Sequence, residues 1–427
     1  MRGGITMWLG LAAAACNGVE SGAVVASPTT STNAETDATS ASASASASAK
    51  ADASADAPGW VTATRSPWAV SHEEGRDARE IALAALCGTE DAALTRVARE
   101  LVASRARGLG TPDADAIVAK LRVAGQPHVR PRLIVASGRA PIDDTKLRPE
   151  LASRASGAHG PARCGVAIAP TPHGGEVLVA LRVEALADLS PLPTRARTGE
   201  WLTFEARLHV GARSAKLIVL GPRGAPRTVP TTLDASQHVR ARFVLDQAGA
   251  FTVQLVGDLA EGPRPLLEAR VFADVVPTAP GEEPAAPGEA AGGTSDDAGA
   301  LARMIAALRA FEGLAPLVRD DKLEGLARAH AERMRDGRAV AHDLGDGDFR
   351  ARFEAEGSLD ARAVGENVAH APTVALAHRA LHASPSHRIN LLRADYTHIG
   401  VATARAADGS VYVCETFAAA RPSRPDR

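Results

Sequence analysis

Aromatic residues make up only 3% of this 427-residue chain, cysteines number four, and neither sign of charge prevails, with 48 Lys and Arg against 50 Asp and Glu. Each shortage excludes something. Without a basic excess the chain lacks the electrostatic footprint of a nucleic-acid binder, and no nucleic-acid partner is expected. Four cysteines with no CxxC pair and no Cys/His finger spacing exclude the structural zinc modules. No apolar run beyond the first sixteen residues is long enough for a transmembrane helix. The dearth of aromatics beside abundant Ala, Arg and Gly points to GC-rich coding, so matches among those three residues carry little weight.

What is present is globular: 45% hydrophobic and 23% charged residues, over a length that implies two to four domains. Met1-Arg2 supplies a thin basic start and Met7–Ala15 a short apolar stretch closed by small residues, directly before Cys16. This pattern reads as an export signal, and the small residues before Cys16 as a lipoprotein box. Residues 1–16 are therefore expected to be signal and lipobox, with Cys16 lipidated as a membrane anchor; a plain cleaved signal, leaving a secreted protein, is the alternative reading. Ala13 stands where Leu is usual in such a box. Residues 17–58, rich in Ser, Ala, Thr and Asp and carrying the run Ser40–Ser48, have too little apolar surface to offset the entropy of ordering and are expected to form a disordered tether. Cys87 and Cys164 either pair in an oxidising compartment or stay as buried thiols, with Cys414 left in a strand.

Pro- and Gly-rich punctuation divides the remainder. Residues 60–190 show a helical pattern over 72–106, a second helix over 113–123, then strands near Leu133, Cys164 and Val177, so an α+β domain is expected. Residues 193–276 alternate in short runs between turn signals, the pattern of an all-β immunoglobulin-like sandwich. Residues 277–298 read as a linker. Residues 299–420 form another α+β unit, with helices expected near 297–312, 320–336, 347–356 and 372–383 and a hairpin over 399–404 and 411–417.

The chemistry concentrates in that last unit. Gly313-Leu314-Ala315-Pro316-Leu317 precedes a helix bearing His330, Ala331 and Met334. His342 follows, then Gly365-Glu366-Asn367, then Ser384-Pro385-Ser386-His387-Arg388-Ile389-Asn390-Leu391-Leu392, then Gly400-Val401-Ala402. This ordered set closely resembles the bacterial branch of the CAP superfamily, the cysteine-rich secretory, antigen 5 and pathogenesis-related proteins. The resemblance implies an α/β/α sandwich with a cleft lined by His342, Glu366 and His387. Ser386 replaces the usual Gly, Leu381 the usual Trp, and the second acidic residue of the eukaryotic tetrad has no counterpart.

Two imidazoles and a carboxylate form a facial set suited to Zn²⁺ or another divalent cation, with a position left for water. Without metal, the same trio moves protons. Asn367 and Asn390 are expected to hold Glu366 and His387 by hydrogen bonds, and Ser384 to cap the short helix after it. His378 and His382 read as a solvent-facing helix edge, and His330 as a packing residue. No catalytic residue is assigned. Three functions follow: a lipid-anchored envelope protein binding a small ligand, lipid or cation; a metal-assisted hydrolase of peptide or cell-wall material; or a surface protein engaging a protein partner.

The first folded segment also reads as a degenerate copy of the last. Asp91, Leu94 and Ala98 match Asp320, Leu323 and Ala327 at an offset of 229 (320 − 91), and Gly165-Val166-Ala167 matches Gly400-Val401-Ala402 at 235 (400 − 165). The copy lacks the His and Glu of the expected site.

Overall fold

The computed structural model describes residues 18–19, 77–110, 114–153, 160–260, 262–277, 285–357 and 360–421. Cys16, the signal and all of the tether except Gly18-Val19 lie outside the described residues. Those two form β1, antiparallel to Gly365-Glu366.

The first unit runs α1 (Ala78–Cys87), β2 (Thr89–Glu90), α2 (Ala92–Ala106), α3 (Ala114–Val123), β3 (Arg132–Arg139), α4 (Asp144–Ala152), β4 (Ala162–Pro170) and β5 (Gly175–Glu184). The helical run expected over 72–106 is thus two helices. They divide at Asp91, whose carboxylate accepts from the amides of Ala93 and Leu94 and so starts a new helix. Cys87 and Cys164 form a disulfide, with Cα atoms 5.7 Å apart.

The sandwich comprises β6 (Ala187–Leu189), β7 (Arg195–Ala196), β8 (Trp201–Leu208), β9 (Ser214–Leu220), β10 (Arg227–Val229), β11 (Thr231–Leu233), β12 (His238–Val244), β13 (Gly249–Leu259) and β14 (Gly262–Ala273). Its sheets, β10-β9-β13-β14-β7 and β11-β12-β8-β6, close over Phe204, Val219, Phe243, Phe251 and Leu255. The alternation of β8 and β12 between exposed and buried residues is the half-buried pattern read from the sequence. It begins at Ala187, ahead of the boundary expected at 193. Buried Arg122 of α3 ties the first unit to it, donating to Glu268 at 3.1 Å and to the carbonyls of Gln126 and His128.

The last unit runs α5 (Ala298–Phe311), β15 (Val318–Arg319), α6 (Asp321–Gly337), α7 (Phe349–Glu356), β16 (Ala361–Ala371), α8 (Val374–Ala383), α9 (Pro385–Leu391), β17 (His398–Arg405) and β18 (Val411–Ala420). The strand β16, which carries Glu366, was not anticipated from the sequence. The described part of the expected linker is not free chain: the turn Glu289–Gly292 lies on α5, and Glu289 pairs with Arg379 of α8 at 2.5 Å. Ser384 stands at the N-terminus of α9 without a side-chain capping bond.

First and last units share one frame. Their sheets are ordered β2-β4-β5-β3 and β15-β17-β18-β16, the second extended by β1 at the β16 edge. Asp91 and Asp320 cap matching helices through the same pair of amides, and each donates its own amide to the neighbouring strand, at Cys164 and Ile399. In each unit one helix backbone lies directly on a strand glycine. A Cβ on Gly165 would sit 2.1 Å from the amide nitrogen of Thr95, and one on Gly400 2.1 Å from the carbonyl carbon of Leu323. The offsets that linked the two segments in sequence therefore describe one packing used twice. Gly165→Ala and Gly400→Ala are each expected to cost about 3 kcal/mol or more, because main chain must move to admit the methyl. Thermal melts followed by circular dichroism check this, and a variant melting with the wild type would remove the account.

Candidate functional site

Strand geometry places the candidate residues. Alternate side chains of β16 face opposite sides of the sheet. Val364, Glu366 and Val368 face α6 and α7, while Gly365, Asn367 and Ala369 face α5, α8 and α9.

On the first side, His342, in the loop after α6, directs Nδ1 at Glu366 Oε1 across 2.7 Å. The carboxylate is 1% exposed. Burial by itself would raise its pKa, but the hydrogen bond from His342 and the charges of His342 and Arg352 outweigh that and hold it below the ordinary carboxylate range. An ionised carboxylate only accepts, so Nδ1 carries a ring proton, and in the neutral ring Nε2 is left with a lone pair. That Nε2 is buried and has no hydrogen-bond partner among the described residues. Arg352 of α7 pairs with Glu366 Oε2 at 2.5 Å and donates to the carbonyls of His342 and Gly347 at 2.6 and 2.7 Å. The buried thiol of Cys414 approaches the same Oε2 at 3.5 Å. His330 is buried as expected, its Nε2 meeting the Ala341 carbonyl at 2.8 Å and lying 4.0 Å from Glu366. Burial lowers its pKa.

On the second side, Asn367 Nδ2 donates to the carbonyl of His387 at 3.2 Å and to Glu415 Oε2 at 2.9 Å, and Asn390 donates to Asn367 Oδ1 at 2.9 Å. A Cβ on Gly365 would lie 2.2 Å from the hydroxyl of Tyr396, so the glycine before Glu366 is set by this close approach. Asn367 and Asn390 thus reach main chain at both motif positions, the carbonyls of His387 and of Glu366. They brace α9 and Glu415 more than the Glu366 carboxylate, of which Asn390 touches only the main-chain carbonyl, at 3.3 Å.

The structure therefore joins His342 to Glu366 and sets His387, wholly buried, on the helix that packs over the other face of β16. Among the described residues no group of three His, Cys, Asp or Glu side chains is arranged to hold a metal ion. The donors do not fit a divalent cation as they stand, because both oxygens of Glu366 are engaged and one holds a guanidinium. His378 is buried rather than solvent-facing, with Nε2 3.3 Å from the Pro287 carbonyl, and His382 beside it is held neutral by burial, its pKa lowered to about 3.

Sequence reasoning missed Arg352 and Glu415. Arg352 sits in an unremarkable helix of an Arg-rich chain and gave no signal. Glu415 did give one: a single acid inside the apolar run Val411–Phe417. Fully buried in the central strand β18, it has its pKa pushed up to about 8 by burial, against a lowering by the Asn367 bond. It holds a proton at neutrality. Its folded pKa lies above its unfolded one, so its contribution to stability is complete below the unfolded value and is lost as pH rises through the folded value. Glu415→Gln, which copies the protonated shape, is expected to be more stable than the wild type at pH 8 by on the order of 4 kcal/mol, the advantage shrinking toward pH 4.5. Urea unfolding at the two pH values measures it; an advantage that does not change with pH would refute the buried-acid assignment.

Comparison with known proteins locates this arrangement. The family model described as the cysteine-rich secretory protein family, CAP, matches residues 302–416. No curated protein matches the chain. Among solved structures, an outer surface protein from Borrelia burgdorferi is similar at 25% identity over 28% of this chain and 90% of its own, with a TM-score of 0.27. An extracellular SCP-domain protein from Bacillus anthracis is similar at 15% identity over 53% of this chain and 90% of its own, with a TM-score of 0.25. A cysteine-rich secretory protein from Staphylococcus aureus is similar at 13% identity over 55% and 81%, with a TM-score of 0.24. The segment built around Glu366 is a CAP domain, and it closes a chain whose other two domains lie outside that family match.

Proposed function

We propose that this is an exported, lipid-anchored protein whose CAP domain binds a small ligand or lipid through His342, with Glu366 holding the ring in its accepting tautomer. The observation that carries the reading is the buried, unsatisfied Nε2 of His342. A buried polar atom without a partner costs about 1–3 kcal/mol. The shared frame does not require that cost. By register Leu133 occupies in the first unit the place of Glu366, since Leu133 pairs with Leu181 as Glu366 pairs with Thr416, and each partner also faces its unit's close-approach glycine. Ile134 likewise stands for Asn367 and Ala180 for Glu415. The apolar version folds in the same way, so the polar one is kept for something the fold does not need.

His342 is 5% exposed, and neither it nor Glu366 lines the nearest hollow. That open hollow of about 530 Å³ lies between the end of α6 and the loop carrying His342, lined by Ala329, Glu332, Arg333, Asp336, Gly337, Ala339 and Leu344. A hydrolytic reading is weaker, because the partners of His342 are a carboxylate and, through its carbonyl, an arginine, rather than a nucleophile. Export is supported by the apolar stretch ending at Cys16 and by the Cys87–Cys164 disulfide, a bond favoured in oxidising compartments.

Fluorescence titration with a fluorescent fatty acid and a fluorescent sterol tests the binding. At least one is expected to saturate the wild type and to bind His342→Ala about tenfold more weakly or worse. Equal affinity in the variant, or no binding of either probe, counts against the reading. Mass spectrometry of the mature N-terminus is expected to show a chain starting at acylated Cys16; an unmodified Cys16 sinks the anchor.

A further inference from the structure

We infer that Arg352 is the resident cation of this CAP site, a positioning residue that keeps divalent metals out and restricts the His342 side to uncharged, hydroxyl-bearing ligands. The inference rests on the reading of His342 as the binding residue and adds the class of molecule it takes.

The charge count at the site is complete. Glu366 contributes one negative charge and Arg352 one positive, and the pair is buried: the Arg352 side chain is 9% exposed and that of Glu366 1%. A guanidinium does not lose its proton in a protein, so this charge is permanent. It is also fixed in place. Three acceptors on two segments hold it: Glu366 Oε2 on β16, and the carbonyls of His342 and Gly347 in the loop before α7. Asp346 Oδ1 lies 3.8 Å from the same guanidinium, and its other oxygen pairs with Arg333.

A divalent ion binding His342 Nε2 and Glu366 would bring two further positive charges beside a buried arginine that already neutralises the one buried carboxylate on this side of the sheet among the described residues. Glu415 is on the other side and holds a proton. His387, the third ligand the sequence suggested, is carried by the helix over that other side. Repulsion between such charges in a poorly solvated site is several kcal/mol at close range, enough to forbid occupancy. Displacing the guanidinium instead would orphan two loop carbonyls together with the charge.

The same count excludes an anionic head group. Arg352 is already neutralised by Glu366, and the neutral form of the His342 ring, held through Nδ1, offers a lone pair at Nε2. What remains favourable is a neutral donor, a hydroxyl, given to Nε2. Arg352 does not touch such a ligand. It acts by gripping the carbonyl of His342 while Glu366 orients the ring.

Co²⁺ titration, read by its ligand-field absorption, tests the inference without reference to any organic ligand. The wild type is expected to give no saturable bands at millimolar Co²⁺. Arg352→Gln, folded by near-ultraviolet circular dichroism, is expected to give them and to lose them again when His342→Ala is added. Arg352→Lys, which keeps the charge, is expected to stay blank. Saturable wild-type bands that vanish in His342→Ala overturn the proposal, as does a folded Arg352→Gln protein that stays blank. Should Arg352→Gln not fold, the wild-type titration alone decides. Failure of the fatty acid and the sterol to bind would remove the ligand reading and leave the Co²⁺ result standing, so the two are separable.

Discussion

A carboxylate taken wholly out of water must be neutralised where it stands, and the arrangement of the last domain around Glu366 follows from that requirement. The histidine of the loop after α6, the arginine of α7 and the thiol of β18 all turn toward its two oxygens. Each comes from a different element, so the ionised group fixes the relative placement of a loop, a helix and two strands. Breaking a buried pair of this kind by removing one partner is much more damaging than never having had it.

The chain itself holds the comparison that gives this network meaning. Its first domain uses the same sheet order, the same aspartate-capped helix and the same glycine contact, yet fills the equivalent centre with Leu133, Ile134 and Ala180. Fold and site are therefore separable in this architecture. The glycines and caps belong to the frame, and Glu366, Asn367, His342 and Glu415 are additions to one copy of it. The first copy carries a disulfide between α1 and β4 instead. Between them the sandwich is docked on both sides, by Arg122 onto Glu268 and by packing of α9 on β9 and β13.

Much of this was legible in the residues. The strands at Cys164 and Ile399 and the match of Asp91 with Asp320 and of Gly165-Val166-Ala167 with Gly400-Val401-Ala402 were read from the residues, while the capping by the aspartates and the helix contact of the glycines came only from the structure. The motif around His342, Glu366 and His387 located the CAP domain. Other elements were illegible for local reasons. Ala361–Ala371 shows no clean alternation because both its faces are buried, one against helices carrying polar partners. The turn Glu289–Gly292 has a linker's composition and acquires structure only from α5 and α8.

The sequence alone determined that a CAP domain occupies the last segment and which residues make up its motif, because periodicity and motif order are properties of neighbours along the chain. Only tertiary structure decided how those residues are shared between the two faces of β16. A strand alternates its side chains, so adjacent Glu366 and Asn367 must serve opposite sides, and His342 and His387 arrive on separate elements that pack on those sides. Nor does any local signal in an arginine-rich helix reveal that Arg352 ends against a buried carboxylate fourteen positions away. That contact exists because α7 packs across the end of the sheet, a fact of packing rather than of spacing.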